Sequence, residues 1–260
     1  MSETMRAGGD LGRVLVVLPT YNEADNLEPI VKRLRAAVPD ADVLVADDNS
    51  PDGTGEIADR IAATDDHVHV LHRTRKQGLG TAYREGFTWG LNRGYDVFCE
   101  MDADGSHQPE ALPTLLERLR SADLVIGSRW VPGGRVENWS RGRQLLSRAG
   151  NLYARLALGL PLRDATAGYR VFRRATLQGI DLSGVASQGY CFQIDLAWRA
   201  YRAGFRVAEV PIVFREREHG ASKMDLGIVA ESFWRVAAWG ARHRARQLRE
   251  LLTGRRRASP

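Results

Sequence analysis

The chain has 260 residues, 43% hydrophobic and 27% charged, enough to bury a full core as one large domain or one domain with an appendage. Its two cysteines, Cys99 and Cys191, stand in apolar settings without metal-type neighbours, which excludes a disulfide framework or a zinc cluster and predicts packed thiols in a reducing compartment. The net charge of +5 is a property of the tail: residues 241–260 carry seven Arg against one Glu, leaving −1 on all the rest.

No secretory pattern opens the chain, and no apolar run approaches the roughly 18 residues of a membrane span, so the expected compartment is the cytoplasm. Residues 1–12 read as a flexible, glycine-containing lead.

Val14 to Leu18 is an apolar, mostly β-branched run stopped by Pro19, the pattern of a buried parallel strand. After Thr20 and Tyr21, Asn22 is placed to cap a helix carrying Leu27, Ile30, Val31 and Leu34 at helical spacing. A second strand, Val43 to Ala46, runs into Asp47-Asp-Asn-Ser-Pro-Asp-Gly-Thr54 and a short helix. A third, Val68 to Leu71, precedes the basic, glycine-rich turn Arg73 to Gly80 and a helix from Thr81 to Leu91. Val97 to Met101 is the fourth, and it ends in Asp102-Ala-Asp104.

Four strand-then-helix units predict an α/β fold with a doubly wound, mostly parallel sheet, whose ligands bind beyond the carboxyl ends of the strands. Residues two apart on an extended segment point the same way, so Asp102 and Asp104 offer two carboxylates to one hard cation, such as Mg2+ or Mn2+ on a diphosphate. On spacing alone a polar turn is the alternative. Neither a Gly-x-Gly-x-x-Gly nor a Walker motif is present, so the crevice holds its nucleotide by other means.

Arg141, Arg148 and Arg155 recur every seven residues, while Leu145, Ala149, Leu152 and Leu156 follow helical spacing, which predicts an amphipathic basic helix. Residues 226–252, with Phe233, Trp234 and Trp239 among arginines, read as a second amphipathic helix lying at a membrane surface, or else packed on the sheet through Phe233, Val236 and Ala237. Residues 253–260 form a basic, disordered tail able to attract anionic headgroups. No basic aromatic sheet or recognition helix supports nucleic acid as a partner.

Pro19-Thr-Tyr-Asn-Glu23, Asp47-Asp-Asn-Ser-Pro-Asp-Gly-Thr54, Gly78-Leu-Gly-Thr-Ala82, Asp102-Ala-Asp104, Gly127-Ser-Arg129 and Arg217-Glu-His-Gly-Ala-Ser-Lys223 occur in the order of family 2 glycosyltransferases. Over Val14 to Ala238 the chain resembles, within them, the dolichyl- and polyprenyl-phosphate mannose synthases without transmembrane helices. The resemblance implies a GT-A (Rossmann-like) catalytic domain over 13–225 and inverting transfer of mannose from GDP-mannose to a polyprenyl phosphate. It also implies peripheral attachment to the cytoplasmic face of a membrane, through the interfacial helix or a membrane-embedded partner.

Carried over, the resemblance makes Pro19, Tyr21, Glu23, Ala46 and Asp48 nucleoside contacts, with Asp47 a buried support for the loop. Asp102, Ala103 and Asp104 meet the diphosphate, and Asp102, Asp104 and Ser106 hold the metal. A lipid phosphate is already an anion and needs no general base, so catalysis rests on positioning and charge, and arginines are the residues to seek. Arg129, Arg143, Arg148, Arg170, Arg217 and Lys223 are the candidate cations, any of which on an exposed helix could instead be a solvated charge. Arg129, Arg143, Arg217 and Lys223 fall at the family's motif positions, and Asp104, Arg129, Arg143 and Lys223 are the catalytic set. Gln193 stands in the acceptor region, with Asp195 either beside it or on the surface of the helix Phe192 to Tyr201. The rival donor is UDP-glucose; the rival from another class is an inactive nucleotide-binding scaffold.

Overall fold

A computed structural model describes residues 11–182, 190–216, 233–242 and 244–245. The chain alternates strand and helix through its first half: β1 (Val14–Thr20), α1 (Ala24–Ala37), β2 (Asp42–Asp47), α2 (Thr54–Ala62), β3 (Val68–His72), α3 (Leu79–Leu91), β4 (Val97–Glu100), α4 (Leu112–Leu119) and β5 (Leu124–Ser128). There follow β6 (Arg135–Glu137), α5 (Arg141–Leu158), β7 (Arg170–Arg173), α6 (Arg174–Gly179), α7 (Tyr190–Arg202), β8 (Val207–Pro211) and β9 (Val213–Arg215). The main sheet has the order β3-β2-β1-β4-β7-β5-β8, and β6 pairs with β9 in a small second sheet. Every pairing in the main sheet is parallel except those of β7 with β4 and β5.

The two-residue alternation along the strands sorts side chains into two cores. Val14, Val16 and Leu18 pack with Val43, Val45, Val97 and Cys99 beneath α1, α2 and α4. Leu15 and Val17 point the other way, with Leu44 and Phe98, toward α3, α5 and α7. Strands buried on both faces account for the unbroken apolar runs in the sequence. Both cysteines are buried thiols outside any disulfide.

Two expectations are corrected. β1 does not stop at Pro19 but runs on to Thr20, paired with β2 from Leu15 onward. The Met101 N–H bonds to the Val17 carbonyl, so odd-numbered β1 residues turn their polar groups toward β4. β4 ends at Glu100, before it reaches Pro19, and the missing proline N–H deprives no neighbour. Asn22 does not cap α1: it takes the left-handed conformation (φ 58°), and Glu23 begins the helix. The caps come from the loop after β2, where Ser50 Oγ, Thr54 Oγ1 and Asp52 Oδ2 accept the backbone N–H groups of Asn22, Glu23 and Ala24. The loops after β1 and β2 are thereby one unit.

The expected lead over 1–12 ends sooner, since Leu11 is already buried in the first core. The basic tail 253–260 lies outside the described residues. Within the expected helix 226–252, residues 233–242 are helical. They pack on α5 and α7 rather than on the sheet: Val236 is buried, Trp239 stacks on Trp198, and Tyr153 donates to the Phe233 carbonyl.

Glycine sets how closely α3 approaches the sheet. A Cβ on Gly90 would stand 2.5 Å from Leu15 Cδ2 and 2.6 Å from Phe98 Cε1, both in fully buried side chains. Gly90→Val is expected to cost roughly 3 kcal/mol by overpacking, measured as a lowered denaturant midpoint at unchanged slope.

Candidate active site

The carboxyl ends of β2, β1 and β4 lie side by side, and strand order reverses between β1 and β4, the switch point at which such sheets bind ligands. Asp47 is the loop's brace, as expected: its Oδ1 accepts from Thr20 Oγ1 at 2.9 Å and from Ser50 Oγ at 2.6 Å. Asp48 is buried and ion-paired with Arg73, which also holds Glu85. Burial raises the Asp48 pKa, opposed by the Arg73 charge and the Gln77 backbone N–H. The turn 73–78 thus folds over the crevice, and Lys76 Nζ sits 3.9 Å from the Tyr21 ring centroid.

Pro19, Tyr21 and Glu23 are partly exposed along this rim. Ala46 is not: it is 0% exposed within the β1-β2-β3 ladder, and its assignment as a contact is corrected.

At the end of β4, Asp102 keeps a third of its side chain exposed while Asp104 is 9% exposed. The Tyr83 hydroxyl donates to Asp102 Oδ1 at 3.2 Å, and the Ser106 N–H to Asp104 Oδ1 at 3.0 Å. Ser106 is buried, and Ala103 packs into the first core, leaving its backbone to face the site. His107, buried and stacked on Tyr169, accepts the Asp102 N–H at Nδ1, which places its own proton on Nε2. Burial lowers the His107 pKa, so it stays neutral at pH 7.

Gly168 opens a gap beside these carboxylates: a Cβ there would stand 3.8 Å from both Asp102 Oδ2 and Gln193 Nε2. Gln193 is buried, and its amide nitrogen and oxygen have no hydrogen-bond partner among the described residues. Glu100, one step deeper on β4, is equally orphaned. Burial pushes its pKa up to about 8 against the pull of Arg170, while the neighbouring Gln193 amide helps the ion without reaching hydrogen-bond geometry.

Arg170 and Asp195 have other roles than those expected. Arg170 is fully buried and donates to the carbonyls of Ala165, Ala167 and Gln193, so it ties the 164–168 loop to α7 instead of meeting a phosphate. Burial lowers its pKa to about 10, with Glu100 opposing. Asp195 is not on the surface: it is 2% exposed and bonded to Arg199 at 2.8 Å.

The second half of the site is a cavity of about 420 Å³ between α5, residues 233–236 and the end of β5. Leu146, Tyr153, Ile194, Phe233 and Val236 make its walls apolar, while Arg129, Arg143, Ser147 and Thr166 supply polar groups. Arg129 is clamped by Asp164, with Nε–Oδ2 2.8 Å and Nη2–Oδ1 2.6 Å, and it also holds Thr166 Oγ1. Arg143 stacks 4.0 Å from the Trp139 ring and pairs with Glu216. The Nε–H of Arg143 and the indole N–H of Trp139 are buried donors without acceptors among the described residues.

Arg148 does not line this cavity: it stacks on Trp130 at 4.6 Å, over a separate cleft on the other flank of α5. Arg217 and Lys223 lie outside the described residues. Glu100, Tyr83, His107 and Trp139 were missed because periodicity reads buried side chains as core, and Ser147 because spacing does not mark a half-buried hydroxyl on a helix; only contacts between distant segments reveal them.

Comparison with known proteins agrees with this geometry. The model of glycosyl transferase family 2 matches residues 15–180. An undecaprenyl-phosphate mannosyltransferase of Micrococcus luteus is 59% identical over 92% of this chain and 99% of its own length. A polyprenol monophosphomannose synthase of Mycolicibacterium smegmatis is 56% identical over 92% and 91%. Among solved structures, glucosyl-3-phosphoglycerate synthase from Mycobacterium tuberculosis, with Mn2+, UDP-glucose and phosphoglyceric acid, has a TM-score of 0.62 at 21% identity, covering 87% of this chain and 80% of that one. The mannosyltransferase PcManGT from Pyrobaculum calidifontis, with GDP-Man and Mn2+, has a TM-score of 0.52 at 19% identity, covering 81% and 58%. The last two likenesses bear on the fold, and the first three make the chain a member of glycosyl transferase family 2.

Proposed function

We propose that the chain transfers mannose from GDP-mannose to a polyprenyl phosphate, with inversion, giving polyprenyl-phosphate β-mannose and GDP. The observation that carries this reading is the cavity whose lining residues Thr166 and Ile194 stand close in sequence to the Gly168 and Gln193 corner that approaches Asp102. Its apolar walls suit an isoprenoid, and the Arg143 Nε–H and Trp139 indole N–H, which have no acceptor among the described residues, suit the phosphate at the head of that chain. The two relatives above, each more than half identical, bear names of the same reaction class.

Asp102 and Asp104 would hold Mg2+ or Mn2+. Among the described residues no group of three or more His, Cys, Asp or Glu side chains is arranged to hold a metal ion. A pair of carboxylates alone fits an ion whose other positions belong to water and diphosphate oxygens. Bound there, the ion would neutralise charge growing on the departing GDP. Ser106 contributes by fixing Asp104 through its N–H, and Tyr83 and His107 orient Asp102.

The nucleoside would lie along Pro19, Tyr21 and Glu23, with the Asp48–Arg73 pair as the edge of its pocket. Asp48 keeps its candidacy only if Arg73 shares it. Arg129 and Arg143 would orient the acceptor phosphate, and Arg217 and Lys223, outside the described residues, keep the substrate-binding role that the family motif gives them. A phosphate oxygen attacks the sugar carbon as the bond to GDP breaks, and no side chain needs to remove a proton. The buried, Arg199-bound Asp195 is in keeping with a reaction lacking a general base.

Among the described residues no helix is long and apolar enough to cross a membrane. The lipid would instead be met by α5, which exposes Leu145, Leu152 and Leu156, and by Phe233 and Trp234. This peripheral arrangement belongs to the same reading.

Transfer of radiolabel from GDP-mannose into an organic phase with a defined polyprenyl phosphate tests the reaction. Label should appear only with Mg2+ or Mn2+ and fall by at least about a thousandfold in Asp104→Ala. Transfer from UDP-glucose alone would reassign the donor, and nucleotide binding without turnover would favour the scaffold reading. Arg143→Ala is expected to raise KM for the lipid phosphate on the order of tenfold while leaving KM for the donor near wild type. Asp164→Asn should lower stability by roughly 3 kcal/mol in denaturant titration, because Arg129 is left buried without its counter-charge.

A further inference from the structure

The flank of α5 turned away from the acceptor cavity carries a second cleft, of about 220 Å³, lined by Trp130, Arg148, Asn151, Arg155, Leu162 and Arg163, with Leu152 at its lip. We propose that this cleft binds the phosphodiester headgroup of an anionic membrane phospholipid, at a site separate from the acceptor cavity.

The first argument is a surplus of donors. Arg129 and Arg143 are matched by Asp164 and Glu216, whereas the side chains of Arg148, Arg155 and Arg163 make no ion pair or hydrogen bond with any described residue. Among the described residues Arg148 is steadied by stacking on Trp130, whose own buried indole N–H meets no acceptor there. Three exposed guanidinium groups converge with one buried N–H around a single cleft, a donor set suited to a phosphodiester. The phosphodiester would replace the water on the arginines and supply the acceptor that the indole lacks. Asn151 closes the inner wall by bonding to Asp164 and Thr166, so the cleft is separated from the cavity by the Arg129 clamp itself.

The second argument selects a lipid over a free anion. At about 100° per residue, Arg148 and Arg155 leave α5 within roughly 20° of one another, and Leu145, Leu152 and Leu156 follow immediately around the helix, before the cavity-facing Leu146 and Tyr153. Those three leucines are 70%, 54% and 63% exposed. A soluble phosphate would leave them in water, while a phospholipid seated by its headgroup lays its acyl chains along them. The arginines and the leucines then serve one molecule.

This site does not depend on which sugar is transferred, so its failure and the failure of the mannosyltransferase reading are separable. The test is flotation of the intact chain with phosphatidylcholine vesicles, with and without phosphatidylglycerol. Phosphatidylglycerol should strengthen binding, and Arg155→Gln with Arg163→Gln should reduce that gain on the order of tenfold. Turnover of acceptor dispersed in detergent should be unchanged in the same variant. Arg60→Gln with Arg118→Gln removes equal charge from exposed positions on α2 and α4 and should keep the gain. Equal losses in the two double variants would mean general attraction and overturn the site, as would an undiminished gain in the first. Displacement from the vesicles by millimolar inorganic phosphate at constant ionic strength would assign the cleft to a free anion instead.

Discussion

The site depends on one ion pair, Arg129 with Asp164. The Asp164 carboxylate is wholly buried and accepts from the Arg129 backbone and guanidinium, from Asn151 on α5 and from the Thr166 hydroxyl. Glu209 of β8 fixes the backbone N–H groups of Arg163 and Asp164 in turn. One carboxylate thus joins the end of β5, the start of β7, the edge strand β8 and the long helix that carries the apolar surface. Taking two charges out of water is costly, and such a pair holds only when the remaining donors and acceptors are satisfied. That condition is met around Asp164, and it fixes the acceptor half of the site against the sheet.

The donor half is built by different means. Parallel strands deliver polar loops to a common edge, and hydroxyls of the loop after β2 cap the helix after β1. Between the halves lies a small region of deliberate incompleteness: Gly168 without a side chain, and Gln193 and Glu100 without partners. Unsatisfied groups at such depth are rare, and their gathering beside Asp102 is what sets this corner apart from an ordinary core. The helix α5 then has three faces with three tasks. Asn151, Ala154 and Leu158 anchor it, one flank lines the acceptor cavity, and the other carries the arginine cleft.

The sheet was legible from sequence because strands buried on both faces leave uninterrupted β-branched runs, and α1 because Leu27, Ile30, Val31 and Leu34 repeat at helical spacing. The Asp-x-Asp pair was legible because it stands where a strand ends. The antiparallel strand β7 was not read, since Arg170 to Arg173 has only two apolar residues and gains its place from neighbours distant in sequence. Arg170 itself shows the limit of counting cations: spacing cannot tell a guanidinium that meets a phosphate from one that holds three backbone carbonyls. Arg148 was assigned to the substrate for the same reason, although rotation about α5 sends it to the other flank. Asn22 failed as a cap because a segment thirty residues away supplied the acceptors first.

The central claim is that the end of β4 holds a metal against the diphosphate while the Arg129 side of the sheet receives a second anion. A crystal structure of the chain with GDP and Mn2+, phased for manganese anomalous signal, tests it most directly. The account predicts one strong anomalous peak bonded to the carboxylates of Asp102 or Asp104 and to diphosphate oxygens, with the nucleoside along Pro19, Tyr21 and Glu23. A diphosphate bound at the 73–80 turn, or manganese away from both carboxylates, would contradict it.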